Sequence, residues 1–125
     1  MEDYFQAKAK LFAGLKGHAA VNTDDPWGAR LAEKVAQGLF SFGVESPAQF
    51  RAGKIKLENA GVSYILESKD GQIGIDLQLM GMFNVYNSLG AAALAAGLGC
   101  SLAQIKQGLE WISGVHGRFE RIFNA

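Results

Sequence analysis

The sequence predicts an α/β fold: parallel sheet elements, then an antiparallel three-strand meander, then C-terminal helices. Three observations predict it. Short apolar runs at 18–22 and 39–42 flank a helical stretch, the strand–helix–strand alternation of a parallel sheet. Residues 53–58 and 73–79 instead alternate apolar and polar side chains, the period of half-buried strands, and 62–67 between them is rich in β-branched and aromatic residues. From Asn84 onward the chain returns to helix-forming sequence.

Each element has its own warrant. Residues 3–16 read as a helix, with Phe5, Leu11, Phe12 and Leu15 as an apolar stripe and Lys8, Lys10 and Lys16 at polar positions. His18–Asn22 reads as a short buried strand. Asp25 can then cap a helix whose first position is Pro26, where a missing N–H costs nothing. That helix runs to about Gln37 and is ended by Gly38, and Leu39–Phe42 is a second buried strand. In the meander, 53–58, 62–67 and 73–79 are the strands, with turns at Asn59-Ala60-Gly61 and Lys69-Asp70-Gly71 and one wet face. The helix from Asn84 to about Leu98 carries Gly90, Ala91, Ala92, Ala93, Ala95 and Ala96, which let backbones approach closely. Ser101 with Gln104 makes a capping box for a helix to about Ile112. Gly114 and Gly117 bracket a linker, and 118–123 begins a further strand.

The bulk numbers narrow the function. At 125 residues one domain is expected, and 49% hydrophobic with 19% charged residues suits a folded chain. Lys plus Arg and Asp plus Glu are 12 each, so the net charge shows no electrostatic footprint for nucleic acid or an anionic membrane. The apolar run from Gly90 to Cys100 is about half the ~20 residues needed to span a bilayer. Met1-Glu2-Asp3 is acidic where a signal peptide is basic. One cysteine, Cys100, fits a reducing compartment and is expected as a small buried hydrophobe. A cytoplasmic chain is expected. Neither His18 nor His116 has a partner at metal-ligand spacing, so a protein-built zinc site is not expected.

Several residues could carry chemistry, and their types alone leave bland readings open. Tyr4 and Lys8 are four apart on one helix face, which suits a solvated lysine beside a half-buried tyrosine. Asn84 and Asn87 stand at a helix start, where Asn84 could cap. A carboxamide also presents a donor and an acceptor side by side, matching the N6 and N7 edge of adenine. Arg118 could be a surface arginine in a linker. Asn22-Thr23-Asp24-Asp25 follows a strand, where open α/β sheets place ligands, although helix capping by Asp25 also explains it.

Three segments share a resemblance. Tyr4-Phe5-Gln6-Ala7-Lys8-Ala9-Lys10-Leu11-Phe12, the run Gly81-Met82-Phe83-Asn84-Val85-Tyr86-Asn87-Ser88-Leu89-Gly90-Ala91-Ala92, and Gly117-Arg118-Phe119-Glu120-Arg121 are similar to parts of the Mur ligase family. Phe83, where the family often has histidine, resembles the branch that adds the third amino acid to the peptidoglycan precursor. His116 departs from the proline usual in that branch.

The resemblance implies an ATP-dependent amide ligase that uses magnesium. Lys8 would become a carbamate, an oxygen ligand for a hard cation, and Tyr4 would line the same pocket. Asn87 would be the adenine contact with Asn84 as its support, and Arg118 would approach the nucleotide from the hinge. The implied substrates are a UDP-MurNAc-dipeptide and a free amino acid, diaminopimelate or lysine. No G-x-x-x-x-G-K-[ST] phosphate loop occurs in these 125 residues. Residues 1–114 are therefore expected to be the later part of a central ATP-binding domain, and 115–125 a linker into a C-terminal ligase domain. Such a piece is expected to be inactive alone and to self-associate through exposed edges. The alternatives are a related ligase of the folylpolyglutamate or cyanophycin synthetase type, or a non-catalytic binding module of similar fold.

Overall fold

A computed structural model describes residues 19–34 and 39–114. The helix expected over 3–16, His18, and the linker and strand expected after Gly114 lie outside the described residues. Five strands form one sheet in sequence order: β1 (Ala19–Asn22), β2 (Leu39–Gly43), β3 (Phe50–Glu58), β4 (Gly61–Ser68) and β5 (Gly71–Leu77). β1, β2 and β3 pair parallel, and β3, β4 and β5 pair antiparallel. The expected parallel part and the expected meander are thus one continuous sheet hinged on β3.

That hinge begins earlier than its alternation suggests, at Phe50. Parallel neighbours usually need a crossover of about a dozen residues. The loop Val44–Gln49 suffices here because β2 and β3 share only the pairs Phe42↔Phe50 and Gly43↔Arg51. Ser41 and Gln49 stitch its base: the Ser41 amide donates to Gln49 Oε1 at 2.8 Å, and the Gln49 amide to Ser41 Oγ at 2.9 Å.

Helix α1 (Pro26–Lys34) starts where its caps say it should, with the Trp27 amide donating to Asp25 Oδ1 at 3.1 Å. Its Leu31 packs on Val21, with Trp27 and Leu39 around them. A Cβ on Gly28 would collide with the Asn22 carbonyl, so only glycine lets α1 lie so close to the end of β1.

Helices α2 (Met82–Gly97) and α3 (Leu102–Gly114) cover the opposite face. Ala20, Phe40 and Phe42, which alternate with Val21, Leu39 and Ser41, turn to this side. The core joins Phe50, Val62, Tyr64, Leu66 and Ile75 of the sheet to Val85, Leu89, Ala92 and Ala93 of α2. The small residues of α2 act as expected: a Cβ on Gly90 would stand 3.3 Å from the Phe42 ring. The other face of the meander is wet, since Gln72, Gly74 and Asp76 of β5 are exposed while Ile75 and Leu77 are buried. A bulge between Gly53 and Lys56 puts Lys54 at φ 52, a left-handed conformation that usually falls to glycine.

Two expectations are corrected. Asn84 does not cap α2. The helix starts earlier, with Gly81 (φ 89) as its N-cap and no side-chain cap bond, and Asn84 Nδ2 instead donates to the Met80 carbonyl at 2.8 Å. Cys100 is exposed rather than buried. Gly99 (φ 97) closes α2: the Gly99 amide bonds Ala96 O and the Cys100 amide bonds Ala95 O, both at 3.0 Å. That closure leaves Cys100 in the turn before α3. The capping box is present, with Ser101 and Gln104 exchanging bonds of 2.8 and 3.2 Å.

Candidate functional site at the carboxyl end of the parallel strands

β1 ends at Asn22, whose Oδ1 accepts the Asp24 amide at 2.9 Å and bends the chain. That bend swings Asp24 over the end of β2. Its carboxylate accepts from the amides of Val44 (2.7 Å), Glu45 (3.2 Å) and Ser46 (2.8 Å), from Ser46 Oγ (2.7 Å) and from Tyr86 Oη (2.7 Å). A carboxylate only accepts, so Ser46 Oγ must spend its proton on Asp24, and Thr23 Oγ1, 2.7 Å away, must donate to Ser46 Oγ. Burial pushes the Asp24 carboxyl up, but the Ser46, Tyr86 and Val44 bonds outweigh it and hold the group well below the usual carboxylate range. The Tyr86 hydroxyl is pushed up to about 12, chiefly because Asp24 accepts its proton, and also by burial and by the charges of Asp24 and Glu45.

Tyr86 belongs to α2, so this bond brings the first turns of α2 to the strand ends. Asn87, the next residue, is exposed, and its side chain has no hydrogen-bond partner among the described residues. Among the described residues nothing occupies its donor or its acceptor, the pair that a planar ligand edge would meet. Asn84 lies one turn earlier, half-buried, with Nδ2 on Met80 O. Phe83 and Met80 are 76% and 61% exposed and place an apolar surface beside the two carboxamides. On the inner side, Ser88 Oγ donates to Val85 O at 2.9 Å, so the buried Tyr64 hydroxyl, 2.6 Å away, must donate to Ser88 Oγ. Burial pushes Tyr64 up to about 12, with the Ser88 bond opposing.

Other features lie away from this edge. Pockets of about 360 and 370 Å³ are lined around Glu58, Asp76 and Glu110 and around Phe40, Phe50 and Arg51, and neither includes Asn84 or Asn87. Among the described residues no group of three or more His, Cys, Asp or Glu could hold a metal ion, and no helix is long and apolar enough to cross a membrane.

The family follows from comparison with known proteins. A family model for the Mur ligase middle domain matches residues 1–95. The chain belongs to the Mur ligase family. A UDP-N-acetylmuramoyl-L-alanyl-D-glutamate--2,6-diaminopimelate ligase of Thermosynechococcus vestitus is 39% identical over 125 residues, covering 98% of this chain and 25% of the relative. An enzyme of the same name from Halalkalibacterium halodurans is 39% identical over 127 residues, covering 98% and 26%. This Mur ligase chain therefore spans about a quarter of the length of the curated relatives it matches. Among solved structures, MurF from Acinetobacter baumannii superposes with a TM-score of 0.74 at 29% identity, over 85% of this chain and 23% of that one.

Of the residues that the sequence points to in this Mur ligase segment, Asn84 and Asn87 are brought to the carboxyl edge of the sheet, one helical turn apart. Tyr4, Lys8 and Arg118 lie outside the described residues. Asn22-Thr23-Asp24-Asp25 does stand at the strand ends, but its carboxylates serve the fold: Asp25 caps α1 and Asp24 is filled by protein donors. Tyr86, Ser46, Tyr64 and Ser88 were not distinguishable as site supports in the sequence. Tyr86 and Ser88 fall inside the run around Asn87, yet only their tertiary partners reveal the role.

Proposed function

We propose that this chain is the later portion of the central domain of an ATP-dependent ligase that joins an amino acid to UDP-MurNAc-L-Ala-D-Glu. Residues 1–114 would belong to that domain, with 115–125 leading into the C-terminal ligase domain. The observation that carries the reading is Asn87, whose exposed carboxamide, without a partner among the described residues, stands beside the carboxyl ends of parallel strands. It supports an adenine contact, because a carboxamide matches the adenine N6 and N7 edge and Phe83 offers an apolar flank. Asn84 would hold the preceding turn through Met80. Arg118 would reach nucleotide oxygens from the hinge, and Tyr4 would line the same pocket.

Magnesium, with Lys8 as a carbamate ligand, rests on the resemblance alone, since Lys8 is outside the described residues. When bound, such an ion supplies charge neutralisation at the transferred phosphoryl group. That both relatives are named as 2,6-diaminopimelate ligases favours diaminopimelate over lysine as the incoming amino acid. A piece lacking a phosphate loop is expected to show no ligation by itself. The test is ADP release by the full-length protein with ATP, UDP-MurNAc-L-Ala-D-Glu and either diaminopimelate or lysine. Release that requires diaminopimelate supports the reading. Release that requires no amino acid, or that occurs only with a folate or cyanophycin substrate, contradicts it.

A further inference from the structure

Asn87 sits between two residues that are each tied to a different element. Tyr86 Oη is bonded to Asp24 on the loop after β1, and Ser88 Oγ accepts from Tyr64 on β4. Successive helix residues are separated by about 100° around the axis. Asn87 therefore points outward between two pins, one on each side of it. Turning α2 about its axis would stretch one pin and compress the other. Gly90, one turn on from Tyr86, removes the remaining slack by seating α2 against the Phe42 ring. The two pins differ in setting. The Ser88–Tyr64 bond is in the core, whereas the Tyr86–Asp24 bond is part-buried and anchored to the loops at the strand ends.

We infer that the Tyr86–Asp24 pair is a positioning device for base recognition: it fixes the rotation of α2 so that the Asn87 carboxamide meets the adenine edge. This rests on the reading of Asn87 given above. Tyr86 and Asp24 do not touch the nucleotide in this account. They act through Asn87, at a site where a small misplacement of the carboxamide would blunt discrimination between N6 of adenine and O6 of guanine.

A double-mutant cycle in the full-length protein tests it, with kcat/KM measured for ATP and for GTP. Tyr86→Phe keeps the ring and removes only the pin. It is expected to lower the ATP-over-GTP preference at least fivefold, Asn87→Ala to lower it further, and the double variant to match Asn87→Ala alone. Ser46→Ala also removes a donor to Asp24 but leaves the pin, and should keep the preference; this separates positioning from general loosening. Asp24→Asn weakens the same pin from its other end and serves if Tyr86→Phe does not fold. A wild-type preference in Tyr86→Phe, or losses that multiply with those of Asn87→Ala, would overturn the inference while leaving Asn87 as the adenine contact. An unchanged preference in Asn87→Ala would overturn both.

Discussion

The Tyr86 hydroxyl donates a 2.7 Å hydrogen bond to Asp24 Oδ2, joining residues 62 positions apart. Through it the helix that carries Asn84 and Asn87 is held to the same carboxylate that gathers the loop between β2 and β3. Three elements thus converge on one charged side chain, and the candidate site stands on that junction.

Replacing Asp24 by asparagine should therefore cost stability. The carboxamide nitrogen would face donors that now meet an acceptor, and a loss of about 2 kcal/mol is expected for a part-buried charged acceptor. The cost should also depend on pH. The folded-state pKa is depressed, so below about pH 4 the unfolded chain takes up a proton that the folded chain resists. Asp24 stabilises the fold above that range and loses its contribution as pH falls through the folded value. Urea unfolding of wild type and variant should show a gap that is wide at pH 7 and narrower at pH 3. A gap that is constant or widens at low pH would count against the assignment.

The buried Tyr64–Ser88 pair should respond asymmetrically. Tyr64→Phe leaves Ser88 still bonded to Val85 O and should cost at most about 1 kcal/mol. Ser88→Ala orphans the buried Tyr64 hydroxyl and should cost about 2 kcal/mol. Adding Tyr64→Phe to Ser88→Ala should recover much of that loss. Chemical denaturation of the three variants checks it; equal costs for the two single changes would contradict the donor order derived above.

Gly28→Ala is a further test of packing. Its methyl group would meet the Asn22 carbonyl, a backbone atom that cannot swing away. A destabilisation of about 2 kcal/mol is expected, with α1 displaced from β1. A thermal midpoint equal to that of wild type would show that α1 does not lie so close.

Much of this fold was legible in the sequence because its signals are local. Period-two alternation marked the meander, Asp25-Pro26 marked the start of α1, and Ser101 with Gln104 marked that of α3. The small residues of α2 foretold its close seat on β2. The parallel β2–β3 pairing was not legible, because it rests on two residue pairs and on a loop stitched by distant Asp24. Nor was the role of Tyr86, whose partner is remote in sequence. Asn84 misled as a cap because a positive-φ glycine, rather than a polar side chain, begins α2. Cys100 misled because the closure after Gly99 outweighs its preference for burial.

The most direct measurement is the ATP dependence of ligation by the full-length protein carrying Asn87→Ala. The account expects the KM for ATP to rise at least tenfold while the KM for UDP-MurNAc-L-Ala-D-Glu stays near that of wild type. An unchanged KM for ATP, in a variant as stable as wild type, would contradict it.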